Sequence, residues 1–142
     1  MSRTLLSATR VRQILAGACQ TRIVVIGDAM LDHFIQGTVA RISPEAPVPV
    51  LDFESESFMP GGAANVARNL TALSAPTEFL GAVGRDTAAR QLRILLSDYH
   101  IGYRGLLSVR DRITSVKTRV VAHKQQVVRI KPDCCSGSTT EK

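Results

Sequence analysis

Short apolar runs alternate with helix-period segments along this chain, and that alternation predicts a mainly parallel α/β sheet with flanking helices. Val11, Ile14, Leu15 and Ala18 recur at helical spacing among Arg10, Arg12 and Gln13, so an amphipathic surface helix opens the order. The run Arg22-Ile23-Val24-Val25-Ile26-Gly27 is β-branched and ends in glycine, the pattern of a strand buried on both faces. A helix from 63 to about 73 is expected to bury Val66, Ala67, Leu70 and Leu73. A strand over 78–83 ends at Gly84, and Asp86 or Thr87 caps a helix that buries Leu92, Leu95, Leu96 and Tyr99. Residues 103–109, 115–122 and 127–130 read as β, the last two a hairpin turning at His123-Lys124-Gln125-Gln126.

One segment breaks this rhythm. Between His33 and about Phe58 the chain carries Ser43-Pro44-Glu45-Ala46-Pro47-Val48-Pro49-Val50, whose three prolines forbid helix and central strand alike. Val48, Val50 and Leu51-Asp52-Phe53 suggest an exposed edge strand, so 33–58 is read as an inserted β flap. Such a flap can close a site against water. Residues 1–131 are expected to make up the folded part; 132–142, rich in Ser, Thr, Cys and charge without a period, are expected to form a disordered tail.

Composition narrows the classes. The chain has 142 residues, 44% of them hydrophobic, ample for one core, and no apolar run of transmembrane length. Arg10, Arg12 and Gln13 interrupt the apolar region a signal peptide needs, which favours a cytoplasmic protein with no membrane partner. Cys19, Cys134 and Cys135 make neither an even disulfide framework nor a metal-binding pair; reduced thiols are the expectation, with a redox switch at the adjacent pair as the alternative. The formal charge is +6, but the basic residues are scattered and only 4% of the chain is aromatic. That pattern favours a phosphorylated small molecule over nucleic acid, although a solvated surface would look the same.

The candidate chemistry starts at Gly61-Gly62, which run into a helical pattern with Asn65 in its first turn. Two residues without Cβ let a ligand approach the backbone, free helix-start N–H groups can meet oxygen atoms, and a carboxamide can both donate and accept. An ordinary turn feeding a core helix is the competing explanation. Asp28 and Asp32 follow the first strand, where open α/β sheets bind ligands; Asp28 also suits a turn or a helix cap.

Three runs carry a resemblance: Gly27-Asp28-Ala29-Met30-Leu31-Asp32, Arg41-Ile42-Ser43-Pro44-Glu45-Ala46-Pro47-Val48-Pro49-Val50, and Pro60-Gly61-Gly62-Ala63-Ala64-Asn65-Val66-Ala67. Together they resemble the ribokinase-type sugar kinases, and the middle run selects the heptose 7-phosphate kinase group. Gly84-Arg85-Asp86, the stretch from Thr114 to Val120, Gln125-Gln126 and Arg129 extend the likeness over about 22–131. The resemblance implies the N-terminal half of a ribokinase-like fold and ATP-dependent phosphorylation of heptose 7-phosphate at C1, for lipopolysaccharide core synthesis. It implies substrate contacts by Asp32, Gly61, Gly62 and Asn65, with Arg41, Lys117 and Arg119 as candidates for the sugar's phosphate. Surface solvation competes at each of those three cations. A homodimer through the flap is a further implication.

The same family is recognised by a later Gly-Ala-Gly-Asp segment that supplies the base and the anion hole, and this sequence contains none. Nor does it contain a Gly-x-x-x-x-Gly-Lys-Ser/Thr loop. The expectation is therefore the sugar-binding half of a kinase whose parent uses ATP and Mg²⁺, with no catalytic residue, nucleotide site or metal site of its own, and inactive in isolation. Another ribokinase-type sugar or nucleoside kinase and a non-catalytic sugar-phosphate-binding module are the alternatives.

Overall fold

A computed structural model describes residues 6–123 and 125–130. In chain order the elements are α1 (Ala8–Ala18), β1 (Ile23–Ile26), β2 (Ala29–Ile42), β3 (Pro49–Gly62), α2 (Ala63–Ala72), β4 (Thr77–Val83), α3 (Thr87–Asp98), β5 (Leu106–Ser108), β6 (Ser115–Ala122) and β7 (Gln125–Ile130). They build two sheets: a parallel one ordered β1-β4-β5, and a mixed one ordered β3-β2-β6-β7. In the mixed sheet β2 runs antiparallel to β3 and parallel to β6, and β6 pairs antiparallel with β7.

Local chemistry sets the helix ends. Ser7 accepts from Arg10 N–H at 3.2 Å to start α1, and Asp86 accepts from Ala89 N–H at 2.8 Å to start α3. Beyond the C-terminal ends of α2 and α3 the chain enters the left-handed region at Ser74 and His100, with φ of 61° and 56°. Ala75 N–H then returns to Leu70 C=O and Ile101 N–H to Leu96 C=O, which satisfies carbonyls the helices leave over.

One apolar core joins α2, α3, the parallel sheet and the base of the mixed sheet. Leu31, Ala64, Ala67, Phe79, Val83, Leu92, Leu96 and Leu106 are buried in it, with Val25, Phe58 and Val116 packed alongside. The opposite face of the parallel sheet is uncovered among the described residues: Val24, Ile26 and Leu107 are all more than half exposed. No helix among the described residues is long and apolar enough to cross a membrane.

Several expectations need correction. Only one face of β1 is buried, although its sequence suits burial on both. Val66 and Leu73 are 51% and 52% exposed, because α2 is inserted into the core through Ala64 and Ala67. Tyr99 is also exposed, while Leu92 and Leu96 carry the buried stripe of α3. Within 103–109 the strand shrinks to Leu106–Ser108, and β7 starts at Gln125 so that the hairpin turn tightens to two positions. The segment read as a flap lies within a β hairpin whose arms extend beyond 33–58 to Ala29 and Gly62. Residues 132–142 and the adjacent cysteines Cys134 and Cys135 lie outside the described residues; Cys19 is exposed and unpaired.

Candidate functional site

The hairpin places Asp32 against the glycine pair. Asp32 is the fourth residue of β2 and lies opposite Met59 of β3, so Gly61 sits diagonally beside it. A Cβ added at Gly61 would be 2.8 Å from Asp32 Cγ and Oδ2 and 3.1 Å from Oδ1, closer than real side chains pack. Glycine at 61 is what lets the carboxylate lie against the backbone there. This differs from the sequence expectation in one respect: Asp32 lies inside a strand, and Asp28 alone occupies the turn after β1.

Gly62 serves a second purpose. It is the N-cap of α2 with φ 58° and ψ −132°, a combination reserved for glycine, and a Cβ there would meet Asp28 C=O at 2.9 Å and Met30 Cγ at 3.1 Å. The cap has no side-chain hydrogen bond; Ala63 N–H instead donates to Asp28 C=O at 3.3 Å. Gly27, at the end of β1, packs so closely on Ala63 that its own Cβ would lie 2.8 Å from that methyl group. Asn65, the third residue of α2, is exposed and its side chain makes no hydrogen bond among the described residues, which leaves its carboxamide free for a ligand.

β6 brings the cations. Lys117 is in register with Asp32 and Arg119 with Phe34, so both side chains share Asp32's face of the sheet. Arg119 Nη1 approaches Asp32 Oδ1 to 2.9 Å, and its guanidinium stacks over Phe34 at 5.1 Å from the ring centroid. Neither paired atom makes an aligned hydrogen bond, so charge rather than geometry holds the contact. The two side chains are 23% and 19% exposed, shielded yet reachable. The sequence offered Arg119 only as a phosphate contact; its pairing with Asp32 depends on β2 and β6 being neighbours, which no local pattern announces.

Arg41 is not brought to this group. It is exposed at the far end of β2 opposite Val50, nine residues beyond Asp32, which at the rise of an extended strand is about 30 Å away. The structure therefore does not bring Arg41 together with Asp32, Gly61 and Arg119.

Beside the site, Asp86 ties the end of β4 to the start of β6. Its Oδ1 accepts from Ala89 N–H and its Oδ2 from Thr114 N–H, both at 2.8 Å, while the buried Thr114 Oγ1 accepts from Gly84 N–H at 2.9 Å. Desolvation pushes the Asp86 carboxyl upward, but the hydrogen bonds from Thr114 and Ala89 outweigh it and hold the pKa below the ordinary 3.8. The cap was legible in the sequence, whereas the bond to Thr114 was not.

An open cavity of about 850 Å³ lies elsewhere, lined by residues such as Arg22, Val24, Glu78, His100 and Tyr103 near the starts of β1 and β4. It contains none of the candidate residues. Among the described residues, no three His, Cys, Asp or Glu side chains gather to hold a metal ion.

Comparison with known proteins places the chain in a family. Residues 20–134 match the pfkB family of carbohydrate kinases. The chain is 52% identical over 109 residues to the bifunctional protein HldE of Azorhizobium caulinodans, covering 76% of this chain and 23% of that protein. It is 47% identical over 124 residues to the protein of the same name from Hyphomonas neptunium, covering 87% and 25%. The chain thus spans about a quarter of the length of these relatives. A putative ribokinase from Agrobacterium tumefaciens shares the fold with a TM-score of 0.63 at 16% identity, over 80% of this chain and 36% of that one. Ribokinase from Arabidopsis thaliana, complexed with ribose and ATP, does so with a TM-score of 0.61 at 20% identity, again over 80% and 36%. With a ribokinase-like α/β fold and a family match over most of its length, the chain belongs to the pfkB carbohydrate kinases.

Proposed function

We propose that this chain is the sugar-binding part of a heptose 7-phosphate kinase, in which Asp32, the Gly61-Gly62 backbone and Asn65 grip hydroxyl groups and the positive charge beside them favours a phosphorylated ligand. The observation that carries this reading is the Asp32 carboxylate resting against Gly61, where a Cβ would displace it. A carboxylate accepts from sugar hydroxyls, the amide of the exposed Gly62 can donate to them, and a free carboxamide does both, so the three together match a polyol. The run Arg41-Ile42-Ser43-Pro44-Glu45-Ala46-Pro47 supports a heptose over other sugars by its resemblance, and the relatives named HldE agree with it.

The parent reaction transfers the γ-phosphoryl group of ATP, with Mg²⁺, to the C1 hydroxyl, whose proton passes to a base. Neither that base nor a nucleotide cradle is identifiable in these 142 residues, so the chain by itself binds sugar without turnover. The flap hairpin is the proposed self-association surface.

Isothermal titration of the purified chain with heptose 7-phosphate tests this reading. Saturable one-site binding is expected, weakened at least tenfold by Asp32→Ala, with ADP release no higher than in a protein-free blank. Absence of saturable binding would overturn the sugar-site assignment, and ADP release requiring both ATP and heptose 7-phosphate would overturn the claim of an inert chain.

A further inference from the structure

Strand register leaves a local imbalance of charge around Asp32 on its face of the mixed sheet. Lys117 and Arg119 alternate along β6 on that face, and Arg129 of β7 lies directly opposite Arg119 in the antiparallel pair, so it projects the same way. The strand residues neighbouring Asp32 on this face from β2 and β3, namely Met30, Phe34, Met59 and Gly61, carry no charge. Glu56 belongs to the reverse face, where it bonds His33 Nε2 at 2.8 Å. Around Asp32, three cations therefore face one carboxylate, which is already paired with Arg119; Asp52 and Glu54 share this face only at Thr38, six residues and about 20 Å along β2.

Like charges placed directly opposite in a sheet repel each other and destabilise it. An exposed edge strand gains from one charged residue that blocks pairing with other chains, which would account for Arg129 alone. It does not account for a second cation opposite Arg129 and a third two residues along the interior strand β6. A bound dianion would balance the surplus.

We propose that Lys117 and Arg129 form the phosphate-binding clamp of the sugar site, and that Arg119 is a positioning residue which holds Asp32 rather than a phosphate contact. This deepens the proposed function and rests on it for the identity of the ligand. Arg129 on β7 is about 10 Å sideways from β2, two strand spacings away, so the clamp lies to one side of the Asp32–Gly61 grip. A phosphorylated sugar would bridge the two, its hydroxyls at Asp32 and its phosphate between Lys117 and Arg129. The arrangement selects for phosphate by charge, and Arg129 adds planar donors that can engage two phosphate oxygens at once.

The experiment compares heptose 7-phosphate with the same heptose lacking its phosphate, by titration calorimetry on the full chain. Lys117→Gln and Arg129→Gln are each expected to weaken the phosphorylated ligand at least tenfold and the unphosphorylated one less than twofold. Arg119→Gln and Asp32→Asn are expected to weaken both to a similar degree, because both disturb the hydroxyl grip. If Lys117→Gln and Arg129→Gln leave the preference for the phosphorylated sugar unchanged, the clamp is wrong even though the sugar site stands. A second arm needs no sugar: inorganic phosphate should raise the melting temperature of the wild-type chain and not that of the Lys117→Gln/Arg129→Gln double variant, with equal ionic strength in sodium chloride as control. Equal stabilisation of both proteins, or of neither, overturns the clamp whatever the sugar titrations show.

Discussion

Replacing Gly61 by alanine should uncouple ligand affinity from stability, and the structure sets the size of each effect. The new methyl carbon would lie 2.8 Å from Cγ and Oδ2 of Asp32, and ordinary contact begins near 3.4 Å, so the carboxylate must retreat by about 0.6 Å. Gly61 does not have a positive φ, so alanine fits the backbone and the whole conflict falls on Asp32. Retreat takes Asp32 off its preferred rotamer at about 0.5–1.5 kcal/mol and loosens a partly shielded ion pair worth up to about 1 kcal/mol. Against this, alanine restricts the unfolded chain and returns about 0.4–1 kcal/mol. The net loss of stability is then about 1 kcal/mol, a fall of a few degrees in melting temperature for a chain of this size. Ligand binding suffers more. A carboxylate that no longer meets its hydroxyl forfeits a charge-assisted hydrogen bond of about 1.5–3 kcal/mol, equal to roughly 10- to 150-fold in the dissociation constant. Circular dichroism melts and calorimetric titration with heptose 7-phosphate read the two quantities separately. A Gly61→Ala protein that binds the sugar as tightly as the wild type would refute the claim that the closeness of this carboxylate to the backbone matters for the ligand.

Gly62→Ala should behave in the opposite sense: with φ 58° and a Cβ 2.9 Å from Asp28 C=O, it is expected to lose about 2–3 kcal/mol in urea unfolding, and a loss under 0.5 kcal/mol would contradict the strain argument. Asp86→Ala removes the α3 cap and the Thr114 link together, for about 2–3 kcal/mol at pH 7. Because the Asp86 pKa is lowered on folding, its contribution is full above the unfolded value near 3.8 and disappears as pH falls through the folded value. The stability gap between wild type and Asp86→Ala should therefore be constant from pH 5 to 7 and narrow below about pH 4; a gap that widens on acidification would reverse the sign assigned here. Phe79→Ala, at a fully buried position between β1 and β5, should cost about 3–5 kcal/mol or prevent folding, as judged by loss of the cooperative thermal transition.

What the sequence disclosed and what it concealed follow from the range over which each force acts. The first strand, both core helices and the β6–β7 hairpin were visible because periodicity and turn chemistry are written in neighbouring residues. The flap was visible for a similar reason: prolines at 44, 47 and 49 leave little but an extended excursion. Asp32 was harder. On β2 the two faces carry Leu31 toward the core and Met30, Asp32 and Phe34 toward the site, so apolar residues occupy both and the alternation that marks a strand is erased. Helical spacing likewise shows that Val66 and Leu73 lie off the polar side of α2 without showing whether anything covers them.

Arg41 and Arg119 show the same limit from opposite directions. Arg41 is nine residues from Asp32 and Arg119 eighty-seven, yet the nearer in sequence is carried away by an extended strand while the farther is delivered to 2.9 Å by a parallel pairing. Extension separates residues at about 3.3 Å per step, so proximity in a β-rich site depends on register between strands and not on spacing within one. Register is fixed by what the other face buries: Leu31, Phe58 and Val116 must all meet the core, and a slip of one residue in β6 would turn Val116 outward and direct Lys117 and Arg119 inward. The apolar side of this sheet therefore specifies the placement of the charged side. Substitutions that loosen Val116 should consequently disturb ligand affinity through Asp32 and Arg119 even though Val116 itself lies on the face away from the ligand.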